Sequence, residues 1–279
     1  MFSSAKKYND SKLILFTNKS LPNEYSSLLD EIGVEIVVLE EKHCQFVQSF
    51  TNTFPGCLFT LDVMKYLTTS NAIISSEKFL IVDSDCIFRE TVDWQESCVA
   101  YEINYPLNRL VNGQSKQSLK EISDYLFACK EEDFKYYGGE FYLLSKIKLI
   151  EINNILENVV DFILKEKKLL NMHFTEEHIL SIILNKCGCL DAAKANRVAR
   201  IWLTRGYNNL NTYNKEAKIY HLPSEKERLF NKLFNQIIEN KEHVDELNFS
   251  SISMSYVSSI PKPNILNKVI KSIKNLKGR

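Results

Sequence analysis

Phe79-Leu-Ile-Val-Asp-Ser-Asp-Cys-Ile-Phe88 is an apolar run that ends in two acids and then resumes as an apolar run. Four consecutive apolar side chains without polar alternation fit a strand covered on both faces, the kind found in buried parallel sheets. Asp83 and Asp85 then stand at i and i+2 in a turn at the strand's C-terminal edge, where open α/β sheets place their ligands. Carboxylates flanked by apolar runs are partly desolvated, which costs free energy unless a cation compensates. A surface turn after a strand has the same Asp-Ser-Asp spelling, so the tripeptide takes its meaning from its flanks.

Working outward, residues 12–17 and 34–39 read as strands with a helical pattern between them at 23–32. Residues 60–69 read as a helix leading into the strand at 78–82, followed by a strand at 97–103, a helix at 117–129 and a strand at 136–144 entered through Gly138-Gly139. Helical periodicity covers 148–170 and 175–184, with Thr175 as a cap and Glu176 and Glu177 at the positive end of the dipole. Short strands follow at 197–203 and 218–221. This alternation predicts an α/β fold with a largely parallel sheet covered on both faces. Residues 1–10 read like the tail of an amphipathic helix. Nucleotide-binding sheets usually open on a strand, so a first strand and the start of its helix are expected upstream; a disordered leader is the alternative.

The chain has 279 residues, 35 Lys plus Arg and 35 Asp plus Glu, which is enough length for a full core and gives no global charge argument for a nucleic-acid partner. Its seven cysteines are odd in number and lack Cys-x-x-Cys pairs, which suits reduced thiols in a cytosolic protein. No window reaches the length of a membrane span. The serine-rich stretch after residue 248 and the prolines at 261 and 263 divide the chain into a body (1–247), a linker (248–263) and a terminal helix (264–279). In that helix Ile265, Leu266, Val269, Ile270, Ile273 and Leu276 share one face and Lys268, Lys271, Lys274 and Lys277 another. This pattern suits an anionic membrane surface; a helix packed on the body with its lysines in water has the same spacing.

Phe79 to Phe88 resembles the Asp-x-Asp segment of GT-A-fold glycosyltransferases, and the order of segments from about 12 to 230 is similar to that family. The likeness is to the glycogenin and lipopolysaccharide galactosyltransferase branch. There a late histidine followed by a lysine completes the metal and diphosphate site. His221-Leu-Pro-Ser-Glu-Lys226 is similar, with the spacing one residue shorter and the family's glycine absent. The resemblance implies a GT-A sheet, Mn²⁺ or Mg²⁺ held by Asp83, Asp85 and His221, and a nucleotide-sugar donor, a UDP-sugar first. That donor would meet Asp83, Ser84, Asp85 and Lys226, with Arg228 as a helper. Two carboxylates and an imidazole are a reasonable Mn²⁺ donor set, although a histidine before Leu222-Pro223 also serves as a cap or core residue.

Glu140, Glu176 and Glu177 are the candidate catalytic residues. In Tyr136-Tyr-Gly-Gly-Glu-Phe-Tyr142 the paired glycines permit close backbone approach to a ligand, and Glu140 is expected at the same sheet edge as the metal site. A bulge with a solvated glutamate is the alternative. Thr175-Glu-Glu-His178 stands where the family carries an acidic helix start facing the scissile bond, with Glu-Glu-His replacing acid, glutamine, acid; two first-turn glutamates also simply start helices well. Arg197, Arg200 and Arg205 around Trp202 suit phosphate or solvent.

The combined expectation is a cytoplasmic glycosyltransferase peripheral to the inner membrane face. It would transfer a sugar to a glycan or lipid-linked acceptor in bacterial surface polysaccharide or lipopolysaccharide synthesis. A sugar-phosphate nucleotidyltransferase, which needs a glycine-rich phosphate loop that is not visible, and an inactive glycan-binding homologue are the alternatives.

Overall fold

The computed structural model describes residues 1–42, 57–70, 76–128, 132–170, 174–192, 198–204, 207–208, 216–225, 228–239, 248, 251 and 255–256. The elements run α1 (Phe2–Tyr8), β1 (Leu13–Thr17), α2 (Asn23–Ile32), β2 (Val34–Val38), α3 (Phe59–Thr69), β3 (Lys78–Val82), β4 (Cys86–Phe88), β5 (Cys98–Glu102), β6 (Leu110–Val111) and β7 (Gln114–Ser115). They continue with α4 (Lys116–Phe127), β8 (Tyr137–Ser145), α5 (Lys146–Leu170), α6 (Glu176–Lys186), β9 (Leu190–Asp191), β10 (Val198–Arg200), β11 (Leu203–Thr204), β12 (Tyr207–Asn208), β13 (Ile219–His221) and α7 (Leu229–Glu239). The chain is thus α/β with mixed sheets. It forms two compact units, a larger one of residues 14–82 and 94–192 and a smaller one of residues 1–13, 83–93 and 193–279.

The larger unit is built on a four-stranded sheet in the order β3-β8-β5-β9. Strand β8 runs antiparallel to both β3 and β5, and β5 is parallel to β9. The expectation of a largely parallel sheet is corrected here: a continuous apolar run records that both faces of a strand are covered, not which way its neighbours run. Helix α5 explains its own length. Leu149, Ile152, Leu156, Val159 and Ile163 recur at alternating steps of three and four, and all are buried. Each such side chain contributes about 1.5–3 kcal/mol through burial. Helix α2 stops at Gly33, whose φ of 81° is open to glycine at little cost. Helix α4 starts with a reciprocal pair, Ser118 N–H to Ser115 Oγ and Ser115 N–H to Ser118 Oγ, both 3.0 Å.

Cys98 on β5 and Cys189 just before β9 form a disulfide, with Cα atoms 4.9 Å apart. This departs from the expectation of reduced thiols throughout. The two residues lie 91 apart in sequence, and only the pairing of β5 with β9 brings them together. Cys57, Cys86 and Cys187 remain thiols.

In the smaller unit β13 is central, parallel to β10 and antiparallel to β4. Ile87, Tyr220, Leu222, Leu229 and Leu233 form its core, and Tyr256 packs against them. Helix α1 is docked rather than a loose leader: Ser4 Oγ accepts from the Phe88 N–H at 3.1 Å, and Asn9 Oδ1 from the Val92 N–H at 3.0 Å. The expected linker is likewise tied down at Tyr256. The terminal helix expected at 264–279 and Lys226 lie outside the described residues. Among the described residues no helix is long and apolar enough to cross a membrane.

Candidate metal centre

Strand β3 ends at Val82, and Asp83 to Cys86 form a β-turn closed by the Cys86 N–H on the Asp83 carbonyl at 3.2 Å. Asp suits the first position of such a turn. The chain leaves the turn as β4, and register then does the rest: Cys86 pairs with His221, so the acid just before Cys86 stands beside the imidazole. The Leu222 N–H donates to the Asp85 carbonyl at 3.1 Å, extending the ladder past the pair.

The result is a three-residue group in which one donor atom from each of Asp83, Asp85 and His221 lies within 4.8 Å of the others. His221 Nε2 is 3.1 Å from Asp85 Oδ1 and 3.3 Å from Asp83 Oδ2. Exposure is graded across it. The side chains of His221 and Asp85 are 3% and 4% exposed, whereas that of Asp83 is 49% exposed. Ser84, at the apex of the turn, is exposed. Two acids and an imidazole are buried on one side and open on the other, which suits a divalent cation that must also meet a ligand from solvent. Oxygen donors with one imidazole nitrogen fit Mn²⁺ well and Mg²⁺ less well.

The candidate catalytic acids form a second constellation, within the larger unit. Gly138 explains itself here: a Cβ at that position would stand 2.1 Å from Glu140 Oε2 and 2.9 Å from Ile103 Cδ1. The Glu140 carboxylate therefore lies over its own strand, and Glu140 is 1% exposed, so the solvated-glutamate alternative does not apply. A Cβ on Gly139 would stand 3.0 Å from Glu176 Oε1. Glu177 is an anchor, accepting from the Tyr136 hydroxyl at 2.9 Å and the Gly139 N–H at 3.3 Å. Burial and the adjacent Glu177 hold the Tyr136 phenol far above its ordinary pKa. Glu176 is the partly exposed member of the three.

His178 is pinned rather than available. Its Nδ1 accepts from the Thr175 N–H at 3.0 Å, which fixes the proton on Nε2, and Nε2 donates to the Val111 carbonyl at 3.0 Å. It is fully buried, with its ring edge-on to Tyr136 and Phe174. Burial pushes its pKa down to about 4.

No family model and no curated protein matches the chain. Its chemistry is therefore carried by the residues themselves. Of the arginines near β10, Arg200 has its guanidinium over the Trp202 ring at 5.7 Å, while Arg197 and Arg205 lie outside the described residues. The sequence reading missed Glu225, a 1% exposed carboxylate that accepts from Ser224 and Tyr256. Flanked in sequence by Ser224 and Lys226, it gives no signal that separates it from a surface acid.

Proposed function

We propose that the chain is a metal-dependent GT-A-type glycosyltransferase, moving a sugar from a nucleoside diphosphate donor, a UDP-sugar first, to a glycan or lipid-linked acceptor. The observation that carries this reading is the convergence of Asp83, Asp85 and His221, with the two acids in one turn and the histidine on the strand paired beside it. These three residues would hold Mn²⁺ or Mg²⁺, which neutralises charge on the departing diphosphate when bound. Asp83 and Ser84 face solvent at the turn and would meet the donor there. Lys226 follows Glu225 directly in sequence and would add a cation for the diphosphate. Among the three acids of the larger unit, Glu176 is the more exposed and is the candidate to meet a ligand, while Glu177 holds Tyr136 and Gly139 in place.

The basic run at 264–279 would set the enzyme at the inner face of a bacterial membrane, where lipid-linked acceptors for surface polysaccharide or lipopolysaccharide reside. Flotation of the full chain with anionic vesicles, against a chain ending at 260, tests that placement. For the chemistry, the protein is incubated with a panel of nucleotide sugars with and without Mn²⁺. Metal-dependent release of the nucleoside diphosphate, or metal-dependent donor binding, is the expected result. Absence of both overturns the reading. Pyrophosphate release from a nucleoside triphosphate and a sugar phosphate would replace it with a nucleotidyltransferase.

A further inference from the structure

Glu225 is buried, and its carboxylate is not part of the metal centre. Its Oε2 accepts from the Tyr256 hydroxyl at 2.5 Å and its Oε1 from the Ser224 hydroxyl at 3.2 Å, while Ser224 Oγ accepts from the Leu203 N–H at 3.2 Å. The backbone of the same residue is used twice. Its N–H closes a turn on the Leu222 carbonyl at 3.1 Å, and its carbonyl accepts the N–H groups of Leu229 and Phe230, which open α7. Leu222 in turn donates to the Asp85 carbonyl at 3.1 Å, and Leu222 directly follows His221. An unbroken series of bonds therefore runs from Tyr256 through Glu225 and the 222–225 turn to the backbone of both buried metal-ligand candidates.

We propose that Tyr256 is a positioning residue for the metal centre: by holding the Glu225 carboxylate it fixes the turn that sets His221 against Asp85 and leads into Lys226. The inference rests on the reading of Asp83, Asp85 and His221 as a metal site. Its physical basis is the cost of a buried carboxylate that loses a donor. Without the Tyr256 hydroxyl the buried Glu225 carboxylate loses a donor, and the turn that carries it, whose other end is bonded to Asp85, is held less firmly. Tyr256 is not one of the ligand candidates and acts through Glu225.

The test is the Mn²⁺ affinity of the full chain, read from the free-ion electron paramagnetic resonance signal without nucleotide. Tyr256→Phe is expected to weaken binding about tenfold, the low end of what outer partners of a metal site contribute. Ile237→Ala, which removes packing from the same apolar cluster but leaves the carboxylate alone, is expected to bind as wild type does. Unchanged affinity in Tyr256→Phe, or equal weakening in Ile237→Ala, overturns the proposal. Should Tyr256→Phe fail to fold, Glu225→Gln carries the same comparison, with weakened binding expected and wild-type affinity overturning it. Asp85→Ala separates the two levels. Wild-type Mn²⁺ affinity there removes the metal reading and this proposal with it, whereas lost binding there beside unchanged Tyr256→Phe removes the proposal alone.

Discussion

His221 Nε2 lies 3.1 Å from Asp85 Oδ1, and both side chains are almost fully buried, while Asp83 completes the group from the exposed side. In the proposed metal site the two acids would therefore have unequal roles. On that reading Asp85→Ala would remove a buried ligand, and metal-dependent nucleotide binding is expected to fall about a hundredfold, the order of the largest effects seen for metal-site partners. Asp83→Asn keeps a neutral oxygen donor at a position water can reach, and about tenfold is expected. Titration calorimetry of Mn²⁺ and nucleotide into each variant decides it; equal losses would contradict the graded burial.

His178 makes stability depend on acid. Its folded-state pKa is depressed to about 4, against about 6.5 in an unfolded chain. As pH falls through about 6.5 the unfolded chain takes up a proton that the buried ring refuses, so stability is lost between about 6.5 and 4, by up to about 3 kcal/mol. Urea midpoints measured across that range should decline more steeply for wild type than for His178→Asn. Parallel pH profiles would show that the ring is not held neutral.

Gly138 and Gly139 should differ under the same substitution. Gly138→Ala places a methyl against both a buried carboxylate and the Ile103 side chain, and about 1–3 kcal/mol of overpacking is expected. Gly139→Ala meets the end of the partly exposed Glu176 side chain, with Glu177 Cγ at an ordinary contact distance of 3.7 Å, and should cost less. In a Glu140→Ala background the Gly138→Ala cost is expected to shrink, a coupling that a double-mutant cycle of unfolding free energies measures.

The Cys98–Cys189 bridge closes a long loop across the sheet, and in the chain-entropy account such a closure stabilises by about 2–4 kcal/mol. Cys98→Ala should therefore lower the urea midpoint, and reductant should lower the wild-type midpoint toward it. Alkylation of unreduced, denatured protein followed by mass analysis should leave these two cysteines unlabelled. Labelling of both would show thiols instead.

What the sequence made legible was local. The run Phe79 to Val82 ending at Asp83, the helix from Asn23 to Ile32 and the α5 stripe each announce themselves within one window, because burial and hydrogen bonding there follow a single period. The grouping of His221 with Asp83 and Asp85 followed from the family resemblance rather than from any single window, and the structure brings those three together. Strand direction was not legible, since Tyr137 to Ser145 has the same apolar content whichever way its neighbours run. Nor was the division of labour between Glu176 and Glu177, adjacent acids that differ only in which way the helix turns them. Tyr256 was hidden for another reason: its partner Glu225 lies 31 residues away, and nothing short of tertiary structure pairs them.

The smaller unit is assembled from three separate lengths of chain, with its two turn acids in the middle length and its histidine in the last. During synthesis from the N-terminus, the ribosome must deliver residue 221 before the proposed ion-binding group has all its members. Nascent chains stalled before residue 221 would carry both aspartates and still lack the third donor. On the proposed metal reading, chelation by all three donors waits for the last of these lengths, and a metal pull-down of ribosome-bound intermediates of graded length would reveal the threshold.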